Sequence, residues 1–325
     1  MTTRILPCLL LSLAAPLLPG QLPSEPNILF VMSDDQGWGD VGYNGHERLQ
    51  TPHLDTMAAE GLRVDNFFSA APVCSPTRAS CLTGRHHYRT GVPSVVDEDK
   101  FINTREVTIA DALRANGYRT AHIGKWHLGD PDWDSSSRPE ELGFEYAIST
   151  SNNAEKVDPG DVYHFRGDRM EDSALGEDSA IIMDYTLGFI EEAMEREQPF
   201  LAYVWMHTPH GPYGSTQAYL DQYADIEDFG TREYYAQITA MDDQIGRLRA
   251  ALREMGVAEN TLIVFCSDNG PNKPPGSTGP YGGSKGGVSD GGLRVPGIIE
   301  WPAVITDPRV TQVPMSVMDL YPTFL

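Results

Sequence analysis

The stretch Asn27-Ile-Leu-Phe-Val-Met-Ser33, bounded by Pro26 in front and Asp34-Asp35 behind, decides the fold class. Its central residues are apolar without alternation, the pattern of a strand covered on both faces. Such a strand belongs inside a parallel sheet, and the segments around it supply the helices. Thr51-Pro-His-Leu-Asp-Thr-Met-Ala-Ala-Glu-Gly61 reads as a helix with a capping Thr51, Pro52 at the first helical position and Gly61 as its stop. Thr108-Ile-Ala-Asp-Ala-Leu-Arg-Ala-Asn116 reads as a second helix stopped by Gly117, and Tyr118-Arg-Thr-Ala-His-Ile-Gly124 as the next strand. A helix is predicted over 179–197, a buried strand over Phe200-Leu-Ala-Tyr-Val-Trp-Met206, a long helix over 234–255 and another strand over Thr261-Leu-Ile-Val-Phe-Cys266. Strand and helix alternate throughout. The expected class is α/β, a mostly parallel central sheet sandwiched by helices, with ligands gathered beyond the carboxyl ends of the strands.

Composition narrows the chemistry. A chain of 325 residues, 40% of them hydrophobic, is long enough for one large α/β domain or two ordinary ones. The formal net charge of -22 argues against binding a nucleic-acid backbone and would repel an anionic substrate. Any anion site must therefore be built from a few concentrated cations. Segments 130–138, 149–169 and 271–292 read as loops, the last too long to be a mere connection.

The amino end, Met1-Thr-Thr-Arg4 followed by an apolar run to Leu18 and Gly20, reads as a cleaved signal peptide over residues 1–20. Pro7 and Pro16 break the run, which is short for a stable membrane span. Residues 21–325 are then an exported domain, periplasmic or secreted, or lysosomal in a eukaryote. Loss of Cys8 leaves Cys74, Cys81 and Cys266, an odd number that cannot all pair. Cys81 and Cys266 are read as buried free thiols, with a bridge between them as the alternative.

The candidate chemistry lies at the strand ends. Asp34-Asp35 and Asp268-Asn269 close two of them, and four oxygen-bearing side chains at one rim suit a hard divalent ion. Pro72-Val-Cys74-Ser-Pro76-Thr-Arg78 places a thiol at a probable helix start, where backbone N–H groups favour an oxyanion. Lys125 and His127, alternate residues at a strand end, are expected to face the same way and meet one anion. His207-Thr-Pro-His210-Gly-Pro212 comes directly after the Phe200 strand, and Lys285 sits on the glycine-rich run Gly282-Gly-Ser-Lys285-Gly-Gly-Val-Ser-Asp290.

Taken together these blocks resemble the type I, arylsulfatase-like sulfatases of the alkaline phosphatase superfamily. Cys74-x-Pro76-x-Arg78 resembles the sequence at which a cysteine is oxidised to formylglycine, although Cys81 stands where an aliphatic residue is usual. Gly117-Tyr-Arg-Thr-Ala-His-Ile-Gly124-Lys125-Trp-His127-Leu-Gly129 is similar to a second signature of that family. The Pro-His-x-Pro pattern falls on His210, which leaves His207 a supporting residue; Asp290 replaces a usual Glu, and Arg294 is read as supporting its loop.

The resemblance implies one calcium ion held by Asp34, Asp35, Asp268, Asn269 and an oxygen of the modified Cys74. It places Arg78, Lys125, His127, His210 and Lys285 around a sulfate group. In the implied reaction one hydroxyl of a formylglycine hydrate attacks sulfur after giving its proton to Asp268, and the second hydroxyl allows sulfate to leave by elimination. His210, with Lys285, is the acid for the leaving oxygen, and His127 the base for the second hydroxyl. The implied partners are a sulfated small molecule or carbohydrate and a formylglycine-generating or equivalent sulfatase-maturing enzyme.

Three rivals accompany this reading: a phosphonate monoester or phosphodiester hydrolase of the same superfamily, an inactive secreted calcium-binding relative, and a hydrolase using Cys74 as a thiolate. Sulfatases also continue into a smaller C-terminal sheet subdomain, whereas this sequence stops at Leu325 inside the helix leading towards it. The expectation is therefore a catalytic domain truncated at its C-terminus, with that subdomain missing.

Overall fold

The computed structural model describes residues 25–96, 101–130, 137–160, 162–165, 168–170 and 175–325. The predicted signal peptide lies outside them. The central strands are β1 (Asn27–Ser33), β2 (Arg119–Lys125), β3 (Tyr146–Thr150), β4 (Phe200–Trp205), β5 (Thr261–Ser267) and β6 (Gly297–Glu300). The principal helices are α1 (Pro52–Glu60), α2 (Cys74–Thr83), α3 (Ile109–Ala115), α4 (Asp178–Glu195) and α5 (Phe229–Glu254).

Among the described residues the main sheet has ten strands, and five neighbours in the order β5-β1-β4-β2-β3 run parallel. Antiparallel β6 pairs with β5, and short strands extend both edges. In register, Met32 lies beside Trp205 on one side and Cys266 on the other, so β1 is the middle of the sheet.

The two faces of β1 explain its uninterrupted apolarity. Ile28, Phe30 and Met32 enter one core with Ala79 and Leu82 of α2 and Ile109 and Leu113 of α3. Leu29 and Val31 enter the other with Ile182 and Phe189 of α4 and Met241 and Ile245 of α5. Fully burying each such side chain is worth roughly 1.5–3 kcal/mol relative to leaving it in water. A polar substitution anywhere along this strand would lose that and strand an unpaired group.

Two local expectations are corrected. Thr51 does not cap α1: its hydroxyl donates to Asp55 Oδ1 at 3.0 Å and accepts from the Gly42 N–H at 2.8 Å. The free N–H groups of His53 and Leu54 find a stronger acceptor in Asp242 of α5, at 2.9 and 2.7 Å. The long helix starts at Phe229 rather than residue 234, because Asp228 caps it by accepting from the Thr231 N–H at 2.8 Å. Cys81 and Cys266 are buried free thiols, as expected, and do not form the alternative bridge. Among the described residues no helix is long and apolar enough to cross a membrane.

Candidate active site

The five parallel strands release the chain at one edge of the sheet, and the segments that leave them converge there. The exits are laced together through the backbone: the Asp34 N–H donates to Thr208 O at 2.9 Å, and the Asp268 N–H to Ser33 O at 3.1 Å. Asp35 takes a left-handed backbone with φ of 67°. For a side chain other than glycine this costs about 1 kcal/mol, and such strain gathers at functional sites. Here it turns the Asp35 N–H onto Asp268 Oδ1 at 3.0 Å.

Cys74 is the first residue of α2, behind an N-cap, Val73, that offers no side-chain acceptor. Its Sγ lies 3.6 Å from Asp34 Oδ1 and 4.0 Å from Asp35 Oδ1. Burial pushes the thiol far up, and the attraction of Lys125 is offset by Asp268, Asp34 and Asp35, so the sulfur stays protonated. One turn later Arg78 is wholly buried and committed to protein groups. Its Nη2 and Nε donate to Asp268 Oδ2 at 2.7 and 3.2 Å, its Nη1 donates to Lys125 O at 2.8 Å, and the guanidinium lies 4.9 Å over the Trp205 ring. Asp268 is nevertheless pushed up to about 7, by burial first and by the Asp34 charge next.

Two ammonium groups enter the site, each on a different aspartate. Lys125 Nζ donates to Asp34 Oδ2 at 2.6 Å and to Asn153 Oδ1 at 2.8 Å. Lys285 Nζ donates to Asp35 Oδ2 at 2.7 Å. The glycine-rich loop that carries it is fastened by the Lys285 N–H to Pro271 O at 2.9 Å and the Gly286 N–H to Pro72 O at 2.8 Å. Glycine is required in that loop: a Cβ on Gly292 would sit 1.9 Å from Gly287 O. Arg294 supports the loop as expected, 4.2 Å over Tyr281 and paired with Asp290 at 3.0 Å.

The histidines differ. His210 Nδ1 is 2.6 Å from Gly211 O, and because a carbonyl only accepts, Nδ1 carries the proton. Nε2 therefore faces the site, 3.4 Å from Asn153 Nδ2 and 3.6 Å from Asp35 Oδ2. His127 is buried, with φ of 53° and, among the described residues, no partner for Nδ1. Strand alternation does not place it, since β2 ends at Lys125; a left-handed turn brings it round. Burial lowers the pKa of both rings, and Lys125 reinforces the effect.

Three buried carboxylates, Asp34, Asp35 and Asp268, face three cations, Arg78, Lys125 and Lys285. Ligand atoms of Asp34, Asp35, Cys74 and His210 all lie within 4.8 Å of one another, and the buried Asn269 Oδ1 has no hydrogen-bond partner among the described residues. An orphaned amide oxygen beside hard carboxylate oxygens fits a divalent ion of the calcium or magnesium type. Such an ion would turn a locally balanced site into a positive one inside an acidic protein. Asp268 belongs to the same floor, with Oδ1 held by the Asp35 N–H and Oδ2 by Arg78.

Two site residues escape the sequence reading. Asn153, for which the sequence favours a turn role over a substrate contact, bridges Lys125 and His210. Asn272 donates to Asp35 Oδ2 at 3.1 Å. Neither carries a local signal beyond its place after a strand.

A family model described as Sulfatase matches residues 26–325. An ulvan-active sulfatase of Formosa agariphila is 33% identical over 326 residues, which cover 93% of this chain and 61% of that protein. The N-acetylgalactosamine-6-sulfatase of Mus musculus is 32% identical over 352 residues, covering 98% of this chain and 65% of its own. The chain thus spans less than two thirds of these relatives. Among solved structures, Ps i-CgsB in complex with k-i-k-neocarrahexaose superposes with a TM-score of 0.85 at 27% identity, over 92% of this chain and 71% of that one. A phosphonate monoester hydrolase of Agrobacterium radiobacter shares the fold, with a TM-score of 0.68 at 20% identity over 92% of this chain and 72% of its own.

Proposed function

The chain belongs to the sulfatase family, and from that premise we propose that it hydrolyses a sulfate ester, R–O–SO3⁻ plus water giving R–OH and sulfate. One observation carries the reading: Cys74, in the Cys-x-Pro-x-Arg block, starts a helix whose first turn faces two aspartates, while Lys125, Lys285 and His210 close around the same point. Two of the relatives are named for sulfated carbohydrates, an ulvan-active sulfatase and an N-acetylgalactosamine-6-sulfatase, and a sulfated carbohydrate is the substrate class we assign.

Asp34, Asp35, Asp268 and Asn269, with an oxygen of the matured Cys74, would hold calcium. Bound there, calcium supplies Lewis-acid polarisation, and formylglycine made from Cys74 supplies a hydrated aldehyde whose hydroxyl is the nucleophile. The chain's own residues do the rest. Asp268 accepts the proton of the attacking hydroxyl, and the Asp35 N–H on Oδ1 and Arg78 on Oδ2 hold it in place for that role. Lys125 and Lys285 exchange their carboxylate partners for the equatorial sulfate oxygens and stabilise the charge that grows on them. Arg78, saturated by Asp268 and Lys125 O, holds Asp268 in place and adds positive potential from behind.

His210 acts on the leaving oxygen as the imidazolium: Nδ1–H stays on the Gly211 carbonyl, the Asp34 and Asp35 charges favour a second proton on Nε2, and Nε2 delivers it. His127 takes the proton of the second hydroxyl when sulfate departs. Export through the residue 1–20 leader and oxidation of Cys74 by a sulfatase-maturing enzyme precede all of this. The test is direct: mass spectrometry of the Cys74 peptide, together with turnover of aryl sulfate against aryl phosphate esters. An aldehyde at residue 74 and preference for sulfate support the proposal; an intact thiol or preference for phosphate overturns it.

A further inference from the structure

Behind Lys125 and His210 runs a buried chain of hydrogen bonds that none of the steps above uses. Asp178 opens α4 and is buried, as are Tyr163, His207 and Thr150. Tyr163 OH donates to Asp178 Oδ1 at 2.5 Å, His207 Nδ1 lies 2.8 Å from Asp178 Oδ2, and His207 Nε2 lies 2.7 Å from Thr150 Oγ1. Thr150 Oγ1 is also 2.6 Å from Asn152 O. A carbonyl and a carboxylate only accept, and the single threonine proton goes to Asn152 O, so both nitrogens of His207 act as donors. Burial works to raise the Asp178 pKa, but the charges of His207 and Lys156 outweigh it and hold the carboxyl below its ordinary range.

The chain of bonds ends at the reacting groups. Thr150 is the last residue of β3, in register with Lys125. Its carbonyl accepts from the Trp126 N–H at 2.9 Å, and Ser151 O accepts from the His127 N–H at 3.0 Å. Three residues past Thr150, Asn153 touches Lys125 Nζ and faces His210 Nε2. The carbonyl of His207 accepts from the His210 N–H at 3.0 Å. His207 thus joins the turn that carries Asn153 to the loop that carries His210.

Resting on the sulfatase reading, we infer that Asp178, His207 and Thr150 are a positioning relay that sets Asn153, and through it the places of Lys125 and His210 for proton delivery to the leaving oxygen. No bond is made or broken in the relay. Its effect is orientation, where a displacement of about 1 Å is enough to cost on the order of 10²-fold in rate.

The experiment compares the full-length, matured, calcium-loaded protein with Thr150→Val and Thr150→Ser, by aryl sulfate kinetics and by NMR of nitrogen-15-labelled histidine rings. Thr150→Val is expected to lower kcat about 10²-fold with KM changed by less than about 3-fold, and to shift the His210 ring signals. Thr150→Ser, which keeps the hydroxyl, is expected to restore both. An unmoved His210 signal in Thr150→Val overturns the relay, whether or not kcat falls. Should the unaltered protein release sulfate from neither aryl sulfate nor sulfated carbohydrates, the sulfatase reading fails, and the His210 signal alone then decides the relay. If Thr150→Val does not melt cooperatively, His207→Gln, which keeps a donor towards Thr150 and drops the one to Asp178, is judged by the same two readouts.

Discussion

Arg249 and Arg78 are both buried guanidiniums forked onto a carboxylate, and they differ in what surrounds the fork. Arg249 of α5 donates to both oxygens of Glu300 at 2.7 Å and reaches Glu60 at the end of α1 at 2.6 Å. Its Nε and Nη2 donors are met by two carboxylates, and it ties helix to sheet. Arg78 holds Asp268 just as closely, but two more aspartates, a buried thiol and an orphaned amide oxygen crowd the same space. The first cluster is electrostatically closed and serves the fold. The second keeps unsatisfied groups among its charges, and under the proposed function these would meet an ion and an anion. A buried pair with nothing unsatisfied around it is structural, and a buried pair beside unsatisfied groups is where chemistry should be sought.

The contrast can be broken at either end. Cys74→Ala should lower aryl sulfate turnover by about 10⁴–10⁶-fold, as loss of a nucleophile does elsewhere, with little change in the melting temperature. A comparable loss of stability would put Cys74 in the closed class. Arg249→Met should do the reverse, costing about 3 kcal/mol in denaturant melts because buried Glu300 keeps only the half-exposed Arg253, 3.7 Å away, with turnover per folded molecule unchanged. Replacing Glu300 by Leu in the same chain should recover much of that loss.

Calcium should stabilise the protein through the open cluster alone. At a hundred times its Kd the gain is about 2.7 kcal/mol, read as a rise in melting temperature that a chelator reverses. Asp34→Asn should remove that response and Glu300→Gln should keep it.

Asp242 sharpens the comparison from between the two extremes, a buried carboxylate satisfied by N–H groups alone. Burial pushes it up to about 7 against those two hydrogen bonds. A carboxyl whose folded pKa is raised binds its proton more tightly in the native state. Its contribution to stability is whole below the unfolded value of about 3.9 and fades as pH rises through about 7, with a slope of at most about 1.4 kcal/mol per pH unit. Asp242→Asn should flatten that part of the stability profile while costing about 1 kcal/mol from the weakened helix start. An unchanged slope would place the titration elsewhere.

The legible parts of the molecule are those whose physics is local. The run from Asn27 to Ser33 announces a doubly covered strand, because only a strand with helices on both faces can stay apolar at every central position. The Cys74, Lys125, His210 and Lys285 blocks are legible because together, and in that order, they resemble the motifs of a known family; singly, such residues beside strand ends are more often turn or solvated residues. Thr51 misleads because a capping sequence says nothing of a competing carboxylate far along the chain on another helix. His127 reaches the site by a left-handed turn that strand parity cannot foresee.

By itself, then, the sequence determined the sheet-and-helix architecture, which periodicity and turn residues set, and, through the resemblance of its Cys74, Lys125, His210 and Lys285 blocks to a known family, the side chains gathered around Cys74. Tertiary structure alone decided which cation meets which carboxylate, which nitrogen of His210 faces the site, and that Asn153, Thr150 and Asp178 stand behind it. These depend on strand order and side-chain reach, quantities fixed only when β5, β1, β4, β2 and β3 lie side by side and their exits share one edge.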